Sequence, residues 1–162
     1  MAVKVLHYAD CPLLTGVHIE KGAILEATAP RKIVCAVDLH PQSSKALAWA
    51  DQMAEEFHSQ LIVGSCHAPG ESHSEETFNP EWRFTVKNRI RERLSELTTG
   101  LHVSAAPLIE SGNPAEIVAE AAQQFNADLV AIGRSEAAGI FGRLCTKSYA
   151  IIRQSPCPVV SV

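Results

Sequence analysis

No apolar run in this chain approaches the roughly 20 residues that a membrane-crossing helix needs. The N-terminus also lacks the charged, apolar and small-residue succession of an export signal. A cytoplasmic location with no membrane partner is therefore expected. An excess of basic charge is missing too: 14 Lys and Arg stand against 18 Asp and Glu, for a formal net charge of −4. The basic residues are scattered rather than gathered into a stripe, which argues against nucleic acid as the main partner. Cysteine is sparse, and its five copies (Cys11, Cys35, Cys66, Cys145, Cys157) are odd in number and irregular in spacing. Buried free thiols in a reducing compartment fit this better than a disulfide framework. Catalytic signatures are absent as well, with no G-x-S-x-G elbow, Walker loop or dinucleotide fingerprint. The chain is not expected to be an enzyme.

What is present is a tail written twice. Residues 151–162 read IIRQSPCPVVSV and residues 5–16 read VLHYADCPLLTG, so Cys157 falls on Cys11. Each copy runs from an amphipathic stretch through Cys-Pro into an apolar strand. The separation is about the length of one small domain, so the first copy reads as the final helix and strand of a preceding repeat. With 162 residues and 46% hydrophobic content, the chain can enclose one good core. The expected organisation is a terminal helix and strand over 1–17, a linker over 18–30 and one domain over 31–162.

Within that domain, residues 32–38 (KIVCAVD) form a short β-branched run suited to a strand covered on both faces. Ser43 is placed to cap a helix whose Ala46, Leu47, Ala50, Met53, Ala54 and Phe57 share one stripe. A second strand is expected over 60–65, an irregular excursion over 68–80, and a long charged helix seamed by Val86, Ile90, Leu94 and Leu97. Residues 106–110 read as a third strand. Asn113 before Pro114 then starts a helix burying Ile117, Val118, Ala121, Ala122 and Phe125. A strand over 128–133, a loop over 134–145, a helix over 146–154 and a strand over 158–162 complete the pattern. This alternation implies an α/β fold with a mostly parallel sheet and helices on both faces. Ligands bind such sheets beyond the carboxyl ends of the strands, where strand order reverses. Asp38 with its neighbour Leu39, Ser65 with the two residues after it, and Gly133 onward occupy those positions.

Three segments in order carry a resemblance: KIVCAVDLHPQSSKALAWA, GNPAEIVAEAAQQFNADLVAIG and SPCPVVSV. Together they resemble the universal stress protein family from about Arg31 to Val162, and the duplicated tail resembles the end of the first domain in a tandem member. The resemblance implies a five-stranded parallel sheet in order 3-2-1-4-5 of the adenine-nucleotide alpha-hydrolase type. It also implies pairing through the last strand, and, in one subgroup, ATP binding. An N-terminal helix and strand pairing with the last strand is the expected addition. That pairing makes the chain either a homodimer or an intramolecular pseudo-dimer, with cis and swapped arrangements both open.

In the nucleotide-binding subgroup, a Gly-x-x-Gly, about nine residues and then Gly-Ser or Gly-Thr wrap the phosphates, because glycines let backbone amides approach an anion. A helix N-terminus adds its dipole. Gly133 matches the first glycine, Glu136 replaces the second, and Cys145 stands near the third while Thr146 keeps the hydroxyl. Asp38 matches the residue that the resemblance assigns to the adenosine end. The candidate cofactor-binding set is therefore Asp38, Leu39, Ser65, Gly133, Arg134, Gly139, Thr146 and Lys147, around a degenerate loop. No cofactor is required by this reading; ATP or another adenine nucleotide is the alternative. Arg134, Arg143, Thr146, Lys147 and Ser148 would also suit another small anionic ligand, against the plainer reading that both arginines are solvated and one pairs with Glu136. His40, Cys66, His67, His73 and Cys145 are acceptable zinc ligands in kind, but no tight C-x-x-C or H-x-x-x-H pair exists and no metal site is assigned. The expected role is regulatory, ligand-sensing or dimerising in a stress response. An ATP or AMP sensor and a thiol or metal sensor around Cys66 and Cys145 are the alternatives.

Overall fold

The structure is a computed structural model that describes residues 11–16, 29–39, 43–67, 80–134 and 143–162. Residues 68–79 of the expected excursion over 68–80, and residues 1–10 of the expected terminal helix and strand over 1–17, lie outside the described residues. The elements run β1 (Leu13–Thr15), β2 (Lys32–Val37), α1 (Ser43–Phe57), β3 (Gln60–His67), α2 (Pro80–Gly100), β4 (Ala106–Ser111), α3 (Pro114–Phe125), β5 (Leu129–Ile132), α4 (Arg143–Gln154) and β6 (Val159–Ser161). One sheet in the order β1-β6-β5-β2-β3-β4 joins all the strands. Its pairs are parallel except β1 with β6. Without β1, this is the expected five-stranded order.

Alternation along β2 assigns its two faces. Ile33, Cys35 and Val37 pack with Ala46, Leu47 and Ala50 of α1 and Leu94 of α2. Val34 faces the other way, with Val118, Ala121 and Ala122 of α3 and Ile151 and Ile152 of α4. A strand covered on both faces has no polar side to offer, which is why it reads as a continuous apolar run. Cys35 is wholly enclosed, and burial pushes its thiol up to about 12.

Local signals set several boundaries. The Asn113 side chain accepts from the Ala115 amide at 3.0 Å with Pro114 at the first helical position, so α3 starts where expected. It ends at Asn126, in the left-handed conformation (φ 50°, ψ 55°) that Asn tolerates better than most residues. Several boundaries differ from expectation: α2 begins at Pro80, the last residue of the expected excursion, and β4 runs on to Ser111. β3 continues to His67, and α4 begins at Arg143 rather than Thr146, because Arg143 and Leu144 are good helix formers that loop composition alone obscures.

The amino edge of the sheet is closed by Asp128. Its Oδ2 accepts the amides of Arg31 at 2.8 Å and Lys32 at 3.0 Å, and the Lys32 ammonium donates to the Phe125 carbonyl at the end of α3 at 3.0 Å. The Ala-Asp-Leu segment thus works as a clamp between β2 and β5, far from the carboxyl edge where a ligand would bind.

At the opposite flank, β1 lies antiparallel on β6 with Leu13 opposite Ser161, Leu14 opposite Val160 and Thr15 opposite Val159. The sequence repeat equates Leu13 with Val159, Leu14 with Val160 and Thr15 with Ser161. Residue equivalents therefore exchange places across the pair, and the register is two-fold about Leu14 and Val160. That is the signature of an isologous contact between like strands, realised here within one chain.

Candidate functional site

β2 and β5 are neighbours, yet the chain leaves β2 toward β3 on one side and leaves β5 toward β6 on the other. The crevice at their carboxyl ends is the topological switch point. Asp38 follows the last residue of β2 and is exposed. Its amide donates to the Ser43 hydroxyl at 3.2 Å, and that hydroxyl donates to Asp38 Oδ1 at 2.5 Å. Ser43 is only 3% exposed. The expected capping serine therefore reaches back to the strand end, where it fixes the direction of the Asp38 carboxylate.

Leu39 departs from ordinary backbone, with φ at 61°. A non-glycine residue in the left-handed region costs about 1–3 kcal/mol, here opposed by packing of the Leu39 side chain against the α1 face of the core. The turn carries the chain away from the strand immediately after Asp38. Ser65 lies one strand over, in register with Val37, and is buried within the sheet. Asp38, Leu39 and Ser65 are thus gathered at one edge, with Ser65 facing the interior.

Gly133 and Arg134 follow β5 at the same edge. The Arg134 amide donates to the Val162 carbonyl at 2.7 Å, and the Val162 amide to the Ile132 carbonyl at 2.9 Å, so the root of the loop is tied to the last strand. The Arg134 guanidinium donates from Nη2 to the Cys11 carbonyl at 2.7 Å. The residue that the sequence suggested for an anion or for solvent thus holds the N-terminal segment. Gly139 and Glu136 lie outside the described residues, as do the side chains of Arg143, Cys145, Thr146 and Lys147. The backbone of Thr146 and Lys147 is in α4. Sequence reasoning missed the Arg134 contact; its partner is 123 residues away, and no local pattern announces it.

Among the described residues, no group of three or more His, Cys, Asp or Glu side chains is gathered as a metal site. His40 and His73, and the side chains of Cys66 and His67, lie outside the description. No helix among the described residues is long and apolar enough to cross a membrane.

Comparison with known proteins agrees with this geometry. The profile of the universal stress protein family matches residues 30–162. A solved universal stress protein in complex with cAMP is 21% identical, with a TM-score of 0.61 over 83% of this chain and 98% of that one. A functionally unknown protein from Pseudomonas aeruginosa is 22% identical with a TM-score of 0.69, covering 98% of this chain and 54% of its own. A universal stress protein from Archaeoglobus fulgidus is 20% identical with a TM-score of 0.67, covering 99% and 52%. The chain spans about half the length of the latter two. No curated protein matches it.

Proposed function

The chain belongs to the universal stress protein family, and on that premise we propose that it is a regulatory and ligand-sensing module of the stress response, built as an intramolecular pseudo-dimer around a degenerate nucleotide loop. The observation that carries this reading is the two-fold register of β1 on β6. Relatives of this kind are expected to associate through their last strands; here a second copy of that strand, from the same chain, fills the position. The edge of β6 would otherwise offer unpaired amides and carbonyls to any extended chain. Glu136 at the position of the second expected glycine and Cys145 one residue before that of the third support the degenerate half of the reading.

The test is mass in solution by light scattering. A monomer over a wide concentration range is the expected result. A stable dimer in which β1 crosses between copies would replace the cis arrangement with a swapped one.

One observation favours a second reading, that of an adenine-nucleotide sensor. The Asp38 carboxylate is fixed by a buried serine at the switch point, and the solved relative described with cAMP holds an adenine nucleotide on a similar fold. Isothermal titration with ATP and magnesium distinguishes the two. No heat across several temperatures, with the protein folded, fits the degenerate loop. Micromolar binding that Asp38→Ala abolishes would make the protein a nucleotide sensor.

A further inference from the structure

We propose that Arg134 is the residue that sets the register of the N-terminal strand, and that the outer edge of β6 together with Arg134 forms a strand-receiving site whose occupant is the segment 11–15 of this chain. The assignment rests on the pseudo-dimer reading and names the group that enforces it.

A strand's register is ordinarily specified by which of its faces is apolar, since a slip of one residue turns every side chain to the other side. β1 cannot be specified in this way. It has three residues, and two adjacent ones are leucine. In the observed register Leu14 is 57% exposed while Leu13 and Thr15 are half-buried. Sliding β1 by one residue would put Leu14 on the face that Leu13 now takes and Leu13 on the other, so each face carries one leucine in either register. The ladder is equally undemanding, because Pro12 and Pro158 lack the amide that would extend it.

What distinguishes the observed register is a pin at each end. Thr15 Oγ1 donates to the Val159 carbonyl at 3.0 Å. At the other end, pairing Leu13 with Ser161 carries Cys11 past the last residue of β6. The Cys11 carbonyl then meets a side chain, the Arg134 guanidinium at 2.7 Å. Arg134 is itself held by its backbone bond to Val162, so its position is fixed relative to β6. A slip of one residue moves each carbonyl by about 3.4 Å along the strand, beyond the reach of a bond at that length. The guanidinium suits such a pin because it is always charged, presents donors in a fixed plane and makes a charge-assisted bond to a neutral carbonyl.

The test is amide exchange and cross-strand proton contacts by NMR on the full chain, for wild type, Arg134→Ala and Arg134→Lys. In the wild type, contacts marking the Leu14–Val160 pairing should be present. In Arg134→Ala they should weaken or split into two sets, with exchange at residues 13–15 faster by about tenfold, the equivalent of one charge-assisted bond. Amides of β2 and β5 should keep their protection. Arg134→Lys should restore a single set in part, because it keeps the charge and a donor. Unchanged exchange and a single register in Arg134→Ala would overturn the assignment while leaving the pseudo-dimer intact. Equal loss of protection across β2 and β5 would overturn it too, by making Arg134 a general stabiliser. Absence of the Leu14–Val160 contacts in the wild type would sink both the assignment and the reading beneath it.

Discussion

Residues 11–16 and 157–162 share one pattern, and the fold treats the two copies differently. Val159, Val160 and Ser161 are all buried: β6 lies between β5 and β1, Val159 packs in the cluster that holds residues of α3 and α4, and Val160 in the one that holds residues of α1 and α2. Among the described residues β1 has a neighbouring strand on one side only, and its central Leu14 is 57% exposed. The two strands are alike in residue type, so a place inside the sheet between the two core clusters, or one at its edge, decides burial. A Cys-Pro-apolar segment is therefore a strand signal, and its contribution to stability is settled by its place in the sheet.

The sharpest way to break this comparison is to truncate the two residues on its axis. Val160→Ala removes two methyl groups from the core and should cost about 2 kcal/mol, counting transfer and the cavity left behind. Leu14→Ala should change stability by less than about 0.5 kcal/mol, as exposed substitutions do. Urea unfolding of both variants measures the difference. Equal costs would mean that something covers Leu14 in solution.

The paired cysteines sharpen it further. Cys11 is exposed and Cys157 is half-buried. Burial raises the Cys157 thiol above its ordinary range, the hydrogen bond with Ser155 lowers it in part, and the charge of Asp128 raises it again. A raised thiol holds its proton to higher pH, so near pH 8 less of it is reactive thiolate. Alkylation followed peptide by peptide should modify Cys11 faster than Cys157 by about tenfold or more, given this difference in access. The Cys157 rate should climb at a higher pH than that of an ordinary thiol. The same sign applies to stability: the contribution of the protonated Cys157 is full below the ordinary thiol range and declines as pH rises beyond it. Equal rates at neutral pH would show that the last strand opens as readily as the first.

Much of this architecture is legible in the sequence, for physical reasons. The runs 32–37 and 129–132 are apolar on both faces, the Asn113-Pro114 pair is a strong helix start, and the repeat points to pairing of the tail with the last strand. Each of these signals is local or repeats visibly. At the candidate site, the convergence of Asp38, Ser65 and Gly133 follows from strand order. The side-chain assignments do not follow: Ser43 turns back to Asp38, Asp128 clamps the far edge, and Arg134 holds Cys11. The last two bonds join residues about a hundred positions apart. A polar side chain finds whichever donor or acceptor the tertiary fold leaves within reach, and one-dimensional spacing does not record that distance.

The smallest effect is the most discriminating, because it predicts opposite signs at equivalent positions. Thr15 and Ser161 are counterparts in the repeat, each carrying a hydroxyl one residue beyond the axis. The Thr15 hydroxyl donates to Val159, and perfect two-fold symmetry would have Ser161 donate to Leu13. Instead the Ser161 Oγ has no hydrogen-bond partner among the described residues, and the residue is 1% exposed. Its neighbour Ile132 already accepts the Val162 amide, which removes one carbonyl from easy reach. A buried hydroxyl without a partner forfeits its hydration and gains nothing in return. Ser161→Ala should therefore stabilise the protein by about 1 kcal/mol, whereas Thr15→Val, which deletes a satisfied bond at a half-buried edge, should destabilise it by about 0.5–1 kcal/mol. Thermal unfolding of the two variants at matched concentration reads both signs. If Ser161→Ala destabilised instead, its hydroxyl would have to find a partner in solution, and the nearest symmetric candidate is the Leu13 carbonyl. That outcome would make the two-fold pairing of β1 and β6 more complete.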